Sequence, residues 1–108
     1  MIKDKKSIKN LIIDKAKVSQ FCEKNHILQL SFFGSVLRDD FNDKSDIDVL
    51  VEFHNTANVG LFELYDMEQE LSKLFGGRKV DINTKSSLSK YFRKEVITEM
   101  EIQYDKTR

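Results

Sequence analysis

Apolar residues recur along the chain at two spacings. Between Ile8 and Asn25 the positions Leu11, Ile12, Ala16, Val18, Phe21 and Cys22 lie mostly at helical intervals with lysines between them. This spacing predicts a helix that Asn25 ends. Ile27 to Phe33 reads as a strand stopped by Gly34-Ser35, and Ser35 is placed to cap a short helix through Arg38 to Asp40. The polar run Asp39 to Ser45 reads as a loop. In Asp46 to Phe53 the β-branched Ile47, Val49 and Val51 predict a second strand. After a loop from His54 to Gly60, apolar residues at 61, 62, 64, 65, 67, 71, 74 and 75 suit an amphipathic helix over Leu61 to Phe75. Gly76-Gly77 stops it, because glycine tolerates the left-handed backbone that follows a helix end. Arg78 to Asn83 is expected to form a third strand. Leu88 to Tyr104 is expected to close the chain as a long helix, with Phe92, Ile97 and Met100 in the core.

The order of elements is thus α-β-α-β-α-β-α. The second strand, long helix and third strand make one βαβ unit, whose strands are parallel neighbours. The link between the first two strands is too short for a long crossover helix, so they are expected to run antiparallel. The fold class that follows is α/β (α+β), a small mixed three-stranded sheet flanked by helices.

Composition narrows this picture. A chain of 108 residues, with no proline and four glycines to build a linker, is expected to be one domain over residues 1–108. Eighteen Lys and Arg balance eighteen Asp and Glu, so there is no bulk cationic field and no direct nucleic-acid binding is expected. The one cysteine, Cys22, excludes an internal disulfide and a multi-thiolate zinc site; it reads as a buried helix residue in a reducing compartment. The start, Met1-Ile2-Lys3-Asp4-Lys5-Lys6, lacks the apolar stretch of a signal peptide, and no apolar run reaches membrane-spanning length. A cytoplasmic protein with no membrane partner is the expectation.

Chemistry concentrates in Phe33-Gly34-Ser35, ten further residues, then Asp46-Ile47-Asp48. On a strand, Asp46 and Asp48 would share one face with their backbones about 7 Å apart. Paired carboxylates repel unless a cation lies between them, and magnesium prefers oxygen ligands completed by phosphate and water. Asp81, alternating with Val80 and Ile82, can join that face if its strand lies parallel beside the second. Gly34 lets the backbone approach closely, Ser35 can donate to phosphate, and N–H groups at the start of the short helix would hold phosphate oxygens. Arg38 has two readings, a partner of the triphosphate or of Asp39 or Asp40. The chemistry that fits is nucleotidyl transfer with two Mg²⁺ ions on Asp46, Asp48 and Asp81, and Asp81 helping to remove the nucleophile's proton. Ser45-Asp46-Ile47-Asp48 also matches a helix capping box, but the following Val-Leu-Val-Glu-Phe favours a strand. His26 and His54 stand alone in polar surroundings and read as surface residues.

Gly34-Ser35-x10-Asp46-x-Asp48, with Phe33, Arg38, Ser45 and Val49-Leu50-Val51 around it, resembles the signature of the minimal nucleotidyltransferases of the DNA polymerase β-like superfamily. Asp81 and the expected final helix also fall where that family has them. Leu37-Arg38-Asp39 stands where many relatives have Ala-Arg-Gly. The resemblance implies catalytic and metal roles for Asp46, Asp48 and Asp81. It implies nucleotide contacts for Gly34, Ser35, Arg38 and Ser45, with ATP as substrate. Stand-alone members of this size resemble antitoxins whose partner is a HEPN-domain ribonuclease toxin. Some of these transfer AMP from ATP to a toxin tyrosine. A hetero-oligomer with the toxin, or a homodimer, would follow. Two other functions share these residues: an antitoxin that acts by occlusion alone, and a small-molecule nucleotidyltransferase of the antibiotic-modifying kind.

Overall fold

The computed structural model describes residues 5–8, 11–42 and 44–107. In chain order the elements are β1 (Lys5–Ile8), β2 (Leu11–Asp14), α1 (Lys15–Lys24), β3 (Ile27–Phe33), β4 (Ile47–Phe53), α2 (Leu61–Leu74), β5 (Val80–Asn83), α3 (Arg93–Glu99) and β6 (Glu101–Asp105). β1 and β2 pair antiparallel on their own, and the other strands form a four-stranded sheet in the order β5-β4-β3-β6. β3 runs antiparallel to β4, and β4 runs parallel to β5, as the connection lengths required.

The expected α-β-α-β-α-β-α order fails at both ends. The first helix starts at Lys15 rather than Ile8, because Leu11-Ile12-Ile13 is a continuous, largely β-branched run that suits a strand. Lys9 and Asn10, part of that expected helix, lie outside the described residues. Asp14 begins α1 as its N-cap, its Oδ1 accepting the Lys17 N–H at 3.3 Å. The closing helix over Leu88 to Tyr104 is also broken. Only Arg93–Glu99 is α-helical, and Glu101–Asp105 forms β6. Ile102 and Tyr104 alternate with Glu101, Gln103 and Asp105, a strand period that supplies the outer neighbour β3 needs. The sheet therefore has four strands and not three. Phe92 and Ile97, expected in the core, are 48% and 37% exposed.

One face of the sheet carries the core. Val18, Phe21 and Cys22 of α1 and Met67 and Leu71 of α2 pack with Leu30, Phe32, Ile47, Val49, Val51, Val80 and Ile82 from the strands. Phe75, just beyond α2, sets its ring 5.4 Å from that of Phe32. α2 opens with the Gly60 N–H donating to Glu63 Oε1 at 2.9 Å. It closes at Gly76 and Gly77, both at positive φ, where the Gly77 N–H returns to the Ser72 carbonyl at 2.8 Å. Glu68 of α2 blunts the outer edge of β5, accepting the Ile82 N–H at 2.9 Å.

Cys22 is fully buried, and burial followed by the nearby Glu23 charge pushes its thiol up to about 12. A raised thiol pKa keeps the sulfur protonated and unreactive at neutral pH. Ellman's reagent at pH 8 is therefore expected to leave Cys22 untouched in the folded chain and to titrate it fully in urea. Rapid reaction without denaturant would contradict this packing.

Candidate active site

The parallel ladder between β4 and β5 sets Asp48 directly opposite Asp81. Neighbouring strands lie about 4.8 Å apart and lateral partners project to one face. Since Ile47, Val49, Val80 and Ile82 turn to the core, both carboxylates project from the other side. Asp48 is half-buried and Asp81 is exposed. On the other flank of β4, Asp48 pairs with Phe33, the last residue of β3. There the chain turns at Gly34, with φ +76, and a Cβ at this position would lie 2.7 Å from Asp48 Oδ2. Glycine is required twice here, for its left-handed backbone and for the room it leaves the carboxylate.

Gly34–Leu37 forms a single 3₁₀ turn, not a helix through Asp40, and Ser35 does not cap it. The Ser35 hydroxyl donates instead to the Asp46 carbonyl at 3.4 Å, tying the turn to the chain that enters β4. One turn has too few aligned peptides to act as a helix dipole, so phosphate binding would rest on individual N–H groups and the hydroxyl. Asp46 precedes β4 rather than lying in it. Its position beside Asp48 comes from the loop, not from strand alternation. Lys79 Nζ lies 3.7 Å from Asp46 Oδ2. Ser45 shapes that loop: its Oγ accepts the Asn42 N–H at 3.1 Å and its N–H donates to the Asn42 carbonyl at 3.0 Å.

The electrostatics connect these residues. Burial raises the Asp48 pKa above the ordinary carboxylate range, the Asp81 and Asp46 charges raise it further, and Arg38 opposes them. Asp46, Asp81 and Arg38 thus all act on the Asp48 carboxylate, the two acids against its ionisation and the arginine for it. Arg38 also has Nε 3.6 Å from Asp40 Oδ1, the ion-pair partner that one of its two readings expects. Among the described residues no three acidic, histidine or cysteine side chains converge into a metal cage of their own. Magnesium is usually held by a few carboxylates completed by phosphate and water, rather than by a cage built from protein alone. His26 and His54 are exposed, and His54 Nδ1 contacts Thr56 Oγ1 at 2.7 Å.

Sequence reading missed Arg78, Phe41 and Lys79. Arg78 Nη2 donates to the Asn42 carbonyl and to the Ser45 carbonyl at 3.1 Å, and its guanidinium stacks 4.3 Å from the centre of the Phe41 ring. These partners are far apart in sequence, and no local pattern announces them. The one available signal was two cations, Arg78 and Lys79, just ahead of an acidic strand.

The family model described as Polymerase beta, Nucleotidyltransferase matches residues 16–108. MJ0128, a candidate protein adenylyltransferase of Methanocaldococcus jannaschii, is 36% identical over 77 residues, 71% of this chain and 76% of that protein. The solved structure of a candidate minimal nucleotidyltransferase superposes with a TM-score of 0.66 at 28% identity, over 81% of this chain and 86% of that one. A chain in the crystal structure of a toxin–antitoxin with AMP-PNP superposes with a TM-score of 0.69 over 88% of this chain and 76% of that one; at 18% identity this is a likeness of fold. The family match covers the sheet, the glycine turn and all three carboxylates, and the chain belongs to the DNA polymerase β-type nucleotidyltransferases.

Proposed function

We propose that this nucleotidyltransferase moves AMP from ATP to a tyrosine hydroxyl of a HEPN-type ribonuclease toxin, and so acts as its antitoxin. The observation that carries the reading is the register of β4 on β5, which sets Asp48 against Asp81, with Gly34 leaving room for the Asp48 oxygen. The protein-adenylyltransferase relative and the toxin–antitoxin fold neighbour support the acceptor class. Among the described residues no helix is long and apolar enough to cross a membrane. A cytoplasmic site of action belongs to the same proposal.

The residues fit magnesium. Asp48 is partly buried in a field of two further carboxylates that added positive charge would relieve, and the space beside its oxygen is one a Cβ would fill. Asp46, Asp48 and Asp81 would hold the ions, two in this reading. Bound there, Mg²⁺ would neutralise triphosphate charge and polarise the exchanging oxygens. The chain's own groups do the rest. N–H groups of the Gly34–Leu37 turn and the Ser35 hydroxyl would bind phosphate oxygens, with Arg38 adding charge from the same side. The acceptor oxygen attacks the α-phosphorus, the new O–P bond forms, and the bond to the β-phosphate oxygen breaks with pyrophosphate leaving. An Asp81 oxygen accepts the proton the acceptor hydroxyl loses.

With labelled ATP, Mg²⁺ and the toxin, the wild-type chain is expected to label one toxin tyrosine. Asp48→Ala should abolish this, and Asp81→Asn should slow it by about 10²–10⁴-fold. Toxin neutralised equally well by Asp48→Ala would establish occlusion and exclude the catalytic reading.

A second test uses stability. The folded chain binds the Asp48 proton more tightly than the unfolded chain. Ionised Asp48 therefore lowers stability as pH rises from the ordinary carboxylate pKa through the raised folded one. Metal-free Asp48→Asn should melt above wild type at pH 7, and the gap should close as pH falls below about 3.9. An equal gap at both pH values would contradict the crowded-carboxylate account.

A further inference from the structure

The segment between β3 and β4 carries Asp46, yet little regular structure holds it: beyond the single turn at Gly34–Leu37, residues 38–46 form no helix or strand among those described. Ordering such a segment costs backbone entropy, about 1–2 kcal/mol per residue. Something outside the segment must fix it if Asp46 is to meet Asp48 and Asp81 reproducibly. The contacts identify what does.

Arg78 reaches across from the approach to β5. Its Nη2 donates to two carbonyls of the segment, those of Asn42 and Ser45, the second at 3.1 Å. Its guanidinium lies 4.3 Å from the Phe41 ring centre, and Phe41 is itself packed against the core. The base of Arg78 is anchored as well, because its carbonyl accepts the Ser72 hydroxyl of α2 at 2.6 Å. The next residue completes the grip. The Lys79 carbonyl accepts the Ile47 N–H at 2.8 Å, and Lys79 Nζ stands 3.7 Å from Asp46 Oδ2. A planar guanidinium can stack on a ring and donate in its own plane at once; an ammonium cannot do both. The second carbonyl it holds belongs to Ser45, the residue immediately before Asp46.

We propose that Arg78 is a positioning residue for the metal–nucleotide site. It locks the loop so that Asp46 stands beside Asp48 and Asp81. The inference rests on the reading of the three carboxylates in the preceding subsection.

The test is Mn²⁺ binding in the presence of ATP, followed by electron paramagnetic resonance on the full chain, so that no turnover is needed. Arg78→Lys keeps the charge and loses the stacked fork. It is expected to weaken Mn²⁺ binding about 10-fold, as loss of an outer-shell partner does. Phe41→Leu, which removes only the ring under the guanidinium, should shift binding in the same direction by less. Met67→Ala opens the core under α2 and serves as the stability control: it should lower the urea midpoint and leave Mn²⁺ affinity unchanged. Wild-type affinity in Arg78→Lys would overturn the proposal, and so would equal weakening in Met67→Ala. Two other outcomes are distinguishable from these: no Mn²⁺ binding by wild type, or undiminished binding by Asp48→Asn, would overturn the reading of the site itself and this inference with it.

Discussion

Two carboxylates stand on one face of this sheet because the hydrophobic packing of its opposite face fixes which residues of each strand turn outward. Ile47, Val49 and Val51 of β4 and Val80 and Ile82 of β5 all enter the core. A slip of one residue would turn these outward and drive Asp48 and Asp81 inward. Each buried side chain of this size is worth about 1.5–3 kcal/mol. Like charges a few ångströms apart repel by about 1–4 kcal/mol near a protein surface, and the exposure of Asp81 places this pair toward the low end. Five apolar side chains therefore outweigh one repulsive pair. The core fixes the acidic face.

The rest of the site is arranged around that fixed repulsion. Gly34 gives the Asp48 oxygen room that any other residue would occupy. The Ser35 hydroxyl joins the turn after β3 to the strand entry at Asp46. Arg38 partly offsets the negative field, and Lys79 stands near Asp46. None of these removes the charge imbalance at Asp48. A site of this kind gains when cations and a polyphosphate enter together, since each neutralises part of the other's charge. Nucleotidyl transfer is a reaction that brings both.

Most of this was legible in the sequence where punctuation and period agreed. β3, β4, α2 and β5 are bounded by Asn25, Gly34, Gly60 and Gly76-Gly77, and their apolar spacing has one clear period. The antiparallel sense of β3 and β4 followed from their short connection, and the parallel sense of β4 and β5 from the helix that joins them. The closing segment was misread because Ile97, Met100 and Tyr104 satisfy helical spacing while Ile102 and Tyr104 satisfy strand alternation. Tertiary pairing with β3 decided between them. The β1–β2 hairpin was hidden in the same way, by apolar residues that continue into a true helix. Asp46 was expected inside the strand, whereas the loop just ahead of β4 presents it. Arg78 was invisible because its partners, Phe41, Asn42 and Ser45, meet it only in three dimensions.

The central claim is that Asp48 and Asp81 oppose each other until positive charge arrives. A double-mutant cycle on urea stability, with Asp48→Asn and Asp81→Asn, singly and together, measures that opposition. Without metal, the gain from Asp48→Asn should be larger when Asp81 is a carboxylate than when it is an amide. The difference should exceed the ~0.3–0.5 kcal/mol scatter of independent sites. With Mg²⁺ and a non-hydrolysable ATP analogue, the coupling should change sign. Additive effects under both conditions would show that the two carboxylates do not share a site, and the account would fall.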